Sequence, residues 1–175
     1  MDKNKDVNQT QEKYIIDPAT HIGHVHLKVA DLEQSLKFYT EVLGFEITGR
    51  MGNSAAFISA GGYHHHIGLN TWESAGGSPP PPGSTGLYHF AILFPNRIAL
   101  ARILRSLIDH KWPIEGAADH GVSEAIYLRD PDGNGIELYV DRPLDQWPRD
   151  SDGNPNMYTQ HLDLNALMDE IDKDE

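Results

Sequence analysis

The sequence predicts an α+β fold assembled from two copies of one β-α-β-β-β unit. Three observations predict it. A strand-then-helix pattern starts at Ile22, a similar pattern starts again at Leu87, and a glycine-, serine- and proline-rich stretch separates them. His24 in the first half and His89 in the second occupy equivalent places. The match is one of pattern more than identity, and it reads as an internal duplication.

Residues 1–20 are polar without a sustained period and read as a flexible arm, with Tyr14, Ile15 and Ile16 expected to dock on the body. In IGHVHLKV, Val25, Leu27 and Val29 fall on one face and His24, His26 and Lys28 on the other, a strand with one face on a core. Asp31 then supplies an N-cap. Leu32, Leu36, Tyr39 and Leu43 follow at helical spacing until Gly44 ends the helix. Short strands are expected over 45–49, 55–60 and 65–72.

Residues 73–86, ESAGGSPPPPGSTG, read as a linker whose prolines favour an extended chain. The second unit opens with LYHFAILFPNR, where Phe90, Ile92 and Phe94 oppose His89 and Ala91. Asn96 caps a helix carrying Leu100, Leu104, Leu107 and Ile108, and strands fit 113–116, 125–129 and 135–140. The expected division is an arm (1–20), a domain (21–145, its units 21–72 and 87–145 joined by 73–86) and a tail (146–175). In the tail, Trp147 and Tyr158 are candidate anchors. A helix capped by Asp163 presents Leu164, Leu167, Met168 and Ile171 on one face, to dock on the body or on a second subunit.

Composition excludes several classes. With 175 residues, 39% hydrophobic and 23% charged, the chain can bury one core. Its 14 lysines and arginines against 26 aspartates and glutamates give a net charge of −12, which repels phosphate backbones and anionic lipid. Nucleic-acid and membrane partners are therefore not expected. The absence of cysteine removes disulfides, thiolate zinc sites and cysteine nucleophiles. No apolar run approaches the roughly 20 residues of a membrane span, and the N-terminus lacks an apolar signal core, so a cytoplasmic location is expected. Ten histidines, three of them consecutive, stand out in a chain poor in other cations.

If the apolar strand faces cover helices, the opposite faces carry His24 with His26, His89 with Ala91, and Glu137 with Tyr139. Two imidazoles and one carboxylate with open positions suit a divalent first-row metal, iron(II) among them. Among His64, His65 and His66, simple alternation from Ile67 and Leu69 turns His66 toward that face. Gly68 aligns with Glu137 between the units, so the first unit lacks the carboxylate and has room there. Asp130-Pro-Asp-Gly-Asn-Gly begins like a calcium loop. The residues after Gly135 alternate as a strand, however, which favours a tight turn.

The runs HVHLKVADLEQSLKFYTEVLGFE, LYHFAIL and DPDGNGIELY resemble the vicinal oxygen chelate superfamily, which includes glyoxalase I, fosfomycin resistance proteins and type I extradiol dioxygenases. The resemblance covers residues 21–145 and implies paired βαβββ modules forming a curled mixed sheet around a metal held by His24, His89 and Glu137. HGVSEAIYLRDPDGNGIE, residues 120–137, resembles the extradiol signature, with Ala118 a small departure from it. GGYHHHIGLNTW is also similar to segments of bacillus-type catechol 2,3-dioxygenases. That likeness implies His65 as the acid–base residue, His120 as a donor to substrate or dioxygen, and Tyr127 as a donor to a substrate oxygen. Resemblance thus selects His65 where alternation selects His66. His26 stands as an alternative ligand or substrate contact.

The implied activity is extradiol cleavage of a catechol-type diol with O2, using Fe(II), with Mn(II) or another divalent metal as alternatives. Typical extradiol enzymes carry four modules and this chain carries two, which leaves the substrate open. A homodimer is expected from the amphipathic tail. The rival classes are a glyoxalase-like isomerase or thiol transferase using a non-redox metal, and a small-molecule binding or resistance protein. The first usually needs no counterpart of His65, His120 and Tyr127, and the second usually lacks the metal ligands.

Overall fold

A computed structural model describes residues 13–173. Its strands form two sheets with a shared topology. The first contains β1 (Val25–Lys28), β2 (Glu46–Met51), β3 (Ala55–Ser59) and β4 (Ile67–Asn70), in the order β1-β4-β3-β2. The second contains β5 (Phe90–Leu93), β6 (Ile114–Asp119), β7 (Ser123–Arg129), β8 (Gly135–Asp141) and β9 (Gln160–His161), in the order β5-β8-β7-β6-β9. In each sheet the first strand pairs in parallel with the fourth, and the remaining pairs are antiparallel. A parallel pair needs a crossover, and here α1 (Leu32–Lys37) or α2 (Arg97–Asp109) lies within it. The duplication is therefore one of topology as well as pattern. Register fixes the equivalence: His26 lies opposite Gly68, and Ala91 opposite Glu137.

The helices begin where their caps dictate. Asp31 Oδ1 accepts from the Gln34 amide at 3.0 Å and Asn96 Oδ1 from the Ala99 amide at 2.8 Å. After Lys37 the first helix widens into a π-helical turn, Phe38–Val42, before Gly44 turns the chain at φ +80°. The widened turn places Phe38 and Tyr39 in the core. Its carbonyl at Val42 accepts from Ser106 Oγ of α2 at 2.6 Å. One apolar cluster spans both units, with Leu27, Leu36, Tyr39, Ile58 and Leu69 from the first and Leu100, Leu104, Ile126 and Leu138 from the second.

A polar clasp also joins the units. Asp130, buried at the start of the β7–β8 turn, accepts from the amides of Asp132 (3.0 Å) and Asn134 (2.8 Å), from Asn134 Nδ2 (2.9 Å) and from the Tyr39 hydroxyl (2.9 Å). Asp132 accepts in turn from the Ala30 amide at 2.7 Å and the Ser35 hydroxyl at 3.1 Å, both in the first unit. The DPDGNG run is thus a tight turn, with Gly133 at φ +82° and its carboxylates committed to protein donors.

The tail docks on the body. Asp163 Oδ1 caps α3 (Leu164–Asp172) through the amides of Asn165 and Ala166, at 2.9 and 3.1 Å. Leu167 is fully buried in the common core, and Arg97 of α2 reaches Glu170 at 2.7 Å. Trp147 is anchored through Nε1 to the Arg142 carbonyl at 2.7 Å. The N-terminal expectation is corrected: Tyr14, Ile15 and Ile16 are exposed and do not dock on the body. The polar segment 1–12 lies outside the described residues. No described helix is long and apolar enough to cross a membrane.

Candidate active site

On β8, Ile136, Leu138 and Val140 face the core, which sends Glu137 and Tyr139 to the opposite side. Glu137 lies between Tyr127 on β7 and the small Ala91 on β5. Tyr127 Oη donates to Glu137 Oε1 at 3.1 Å, and His89 Nε2 lies 2.9 Å from Glu137 Oε2. His120, in the turn between β6 and β7, brings Nε2 to within 2.7 Å of Tyr127 Oη. Four predicted residues therefore form one chain of contacts: His120, Tyr127, Glu137 and His89. Burial, reinforced by the Glu137 carboxylate, pushes the Tyr127 phenol up to about 12, so it remains a hydrogen-bond donor at neutral pH.

Gly135 keeps this cluster compact, a role that leaves no trace in the strand periodicity. A Cβ there would collide with the Tyr88 carbonyl and lie 3.1 Å from His89 Cβ. Gly135→Ala is expected to push the start of β5 off β8 and part His89 from Glu137, at a cost of about 1–3 kcal/mol. Chemical denaturation checks the stability, and metal titration checks the pair. Unchanged values in both would refute this role.

The first sheet carries a second group. His24, just before β1, has its ring centroid 4.4 Å from that of His65, which also lies 5.0 Å from Phe57. Loss of solvent, together with the imidazoles of His24, His64, His26 and His66, holds His65 below its ordinary value. His65 Nδ1 sits 2.7 Å from His64 Nδ1. The His26 ring lies over Gly68, where an added Cβ would stand 2.9 Å from it, and its centroid is 5.6 Å from that of Trp72. His66 is tied into the β3–β4 hairpin: its Nδ1 accepts from the Ala60 amide at 3.3 Å and lies 2.9 Å from Ser59 Oγ. Strict alternation placed His66 beside the metal-site residues. In the structure His65 takes the place next to His24, while His66, whose amide and carbonyl pair with Ile58 and Val25, turns its ring to Ser59.

The structure brings His89 and Glu137 together but does not join His24 to them. Among the described residues, no group of three or more histidines and acids lies close enough to hold a metal ion. The donor chemistry nevertheless fits one. Bonds of about 2.0–2.2 Å from a first-row ion to adjacent ligands place donor atoms about 3 Å apart, the spacing of His89 Nε2 and Glu137 Oε2. Imidazole nitrogen with carboxylate oxygen is the pairing such ions take.

Comparison with known proteins identifies the family. Residues 21–138 match the model of the Glyoxalase/Bleomycin resistance protein/Dioxygenase superfamily. The chain is 45% identical over 152 residues to a catechol-2,3-dioxygenase of Bacillus subtilis, covering 86% of this chain and 52% of that protein. It is 33% identical over 123 residues to biphenyl-2,3-diol 1,2-dioxygenase 2 of Rhodococcus globerulus, covering 68% and 62%. The chain thus spans less than two thirds of either relative. A glyoxalase/dioxygenase structure from Nostoc punctiforme superposes with a TM-score of 0.61 over 76% of this chain and all (100%) of that one, at 21% identity, which speaks to the fold.

Proposed function

Since the chain belongs to the Glyoxalase/Bleomycin resistance protein/Dioxygenase superfamily, we propose that it is an extradiol dioxygenase that opens a catechol-type ring beside its two hydroxyls. The observation that carries this reading is the contact chain from His120 through Tyr127 and Glu137 to His89. It supports the reading because groups able to hydrogen-bond an oxygen-rich substrate lie directly beside an imidazole and a carboxylate suited to a metal.

In this reading His24, His89 and Glu137 hold Fe(II), with Mn(II) or another divalent metal as an alternative. Bound there, the metal would acidify the diol and bring it together with O2. His65 accepts the second diol proton, a task suited to a neutral imidazole. Tyr127 donates to a substrate oxygen. His120 presents Nε2 to the same space, to stabilise charge that develops on oxygen during the reaction. His26, over Gly68 and beside Trp72, borders the ring's approach.

Anaerobic loading with Fe(II), followed by catechol and air, tests the proposal. The expected result is a yellow ring-cleavage product with matching oxygen uptake. If several catechols give no uptake while Mn, Ni or Zn binds tightly, the site belongs instead to an isomerase or transferase.

A further inference from the structure

We propose that the C-terminal segment, beyond the residues matched by the family, is a working part of the site: Tyr158 is a positioning residue that fixes the tautomer and orientation of His120. His120 Nδ1 lies 3.0 Å from the Tyr158 carbonyl oxygen and 3.3 Å from Thr159 Oγ1. The Tyr158 amide donates back to the His120 carbonyl at 3.2 Å. A carbonyl only accepts, so the ring nitrogen facing it carries the hydrogen. In the neutral imidazole this leaves the Nε2 lone pair aimed at Tyr127 Oη 2.7 Å away, where it competes with Glu137 for the one hydroxyl hydrogen. A proton taken up at Nε2 turns His120 into the donor of the proposed reaction. A lone imidazole would exchange between its two neutral forms, and a fixed backbone partner selects one.

The segment is held firmly enough to impose that choice. Just after Tyr158, β9 pairs with β6, Gln160 opposite Asp119 and His161 opposite Ala118. Leu162 and Leu167 are buried beyond it. Before it, the Asn156 amide donates to the Pro148 carbonyl at 2.8 Å. The Tyr158 ring covers Gly121, the residue after His120, so closely that a Cβ there would stand 2.6 Å from Tyr158 Cε1 and 2.8 Å from Pro148 Cγ. Gly121 also turns at φ +78°. The turn that carries His120 is thus shaped to receive this tail, and the carbonyl and ring of one residue act on adjacent positions.

The inference rests on the reading of His120 as a site residue, and its test is kept separate from turnover. The full chain is labelled with 15N-histidine, and long-range 1H–15N spectra are recorded at neutral pH without added metal and again with Zn(II), which is diamagnetic. The His120 signal is assigned by its loss in His120→Gln. The expected wild-type signal is the form protonated on Nδ1. Tyr158→Gly, which removes the ring from Gly121 and loosens the segment, should convert it to a mixture containing the Nε2-protonated form, whereas Tyr158→Phe should keep the wild-type pattern. A wild-type His120 protonated on Nε2, or an unchanged pattern in a folded Tyr158→Gly variant, overturns the inference. If Tyr158→Gly does not fold, the wild-type spectrum alone decides. Should the dioxygenase reading hold as well, kcat falls about 10- to 100-fold in Tyr158→Gly and recovers in Tyr158→Phe. A protein without ring cleavage but with the expected tautomer would sink the dioxygenase reading alone.

Discussion

Glu137→Ala is expected to abolish ring cleavage while leaving the fold intact. Glu137 supplies the only carboxylate of the proposed ligand set, and it lies on the face of β8 opposite the core. Removing it breaks two contacts together, those with His89 and with Tyr127. Loss of a group that merely supports a ligand costs about 10- to 100-fold in metal affinity, and loss of a ligand costs more. Glu137→Gln keeps the volume and an acceptor for Tyr127 but discards the charge, so it should fail as well. His65→Ala supplies the contrast: metal content stays, and turnover falls by about 10²- to 10⁴-fold, the usual worth of a proton-transfer group. Oxygen uptake, metal content and far-UV circular dichroism on the same samples separate the cases. Full turnover in Glu137→Ala would end the proposal.

Asp130→Ala should produce the largest loss of stability. It orphans the Tyr39 hydroxyl, which has no exposure to water, and unties the turn whose next carboxylate grips Ala30 and Ser35. Each buried polar group left unpaired costs about 1–3 kcal/mol. Part of this is offset, because burial outweighs those hydrogen bonds and lifts the Asp130 carboxyl above its ordinary value. The folded chain therefore binds its proton more tightly than the unfolded chain does. Its contribution to stability is present in acid and lost as pH rises through the folded value. At neutral pH the orphaned donors dominate, and a net loss of about 3 kcal/mol would lower Tm by about 6–12 °C. Asp150 provides the control, since it accepts from the Asp152 and Asn154 amides in the same kind of turn but on the exposed tail. Asp150→Ala should melt close to wild type. Equal shifts in the two variants would show that Asp130 does not clasp the units together.

Much of the fold was legible because its signals are local. Alternation in IGHVHLKV and GIELYV, the caps Asp31, Asn96 and Asp163, and the turn at Gly44 each depend on neighbours a few residues away. Two such rules, repeated in order, are enough to reveal a duplicated β-α-β-β-β unit. Strand ends were less legible, and His66 shows why. Alternation gives the face a residue shares but not its neighbours there: the His66 ring goes to Ser59, and it is His65, before the strand, that meets His24. The two-residue β9 is too short to carry a period. The exposed Tyr14, Ile15 and Ile16 show that an apolar run does not by itself name a partner.

The sequence by itself determined the class of fold, the pairing of Gly68 with Glu137 as equivalent positions, and the residue types offered for chemistry. Only the tertiary structure decided which of them meet. His120 reaches Tyr127, Tyr127 reaches Glu137 and Glu137 reaches His89, while His24 keeps company with His65. It also decided that Gly135 must stay bare beneath the Tyr88 carbonyl and that Tyr158 holds His120 from the far end of the chain. The physical reason is range. Backbone propensity and hydrophobic period act over a few residues, whereas a hydrogen bond between distant residues depends on how sheets and tail pack, and packing leaves no period in the sequence.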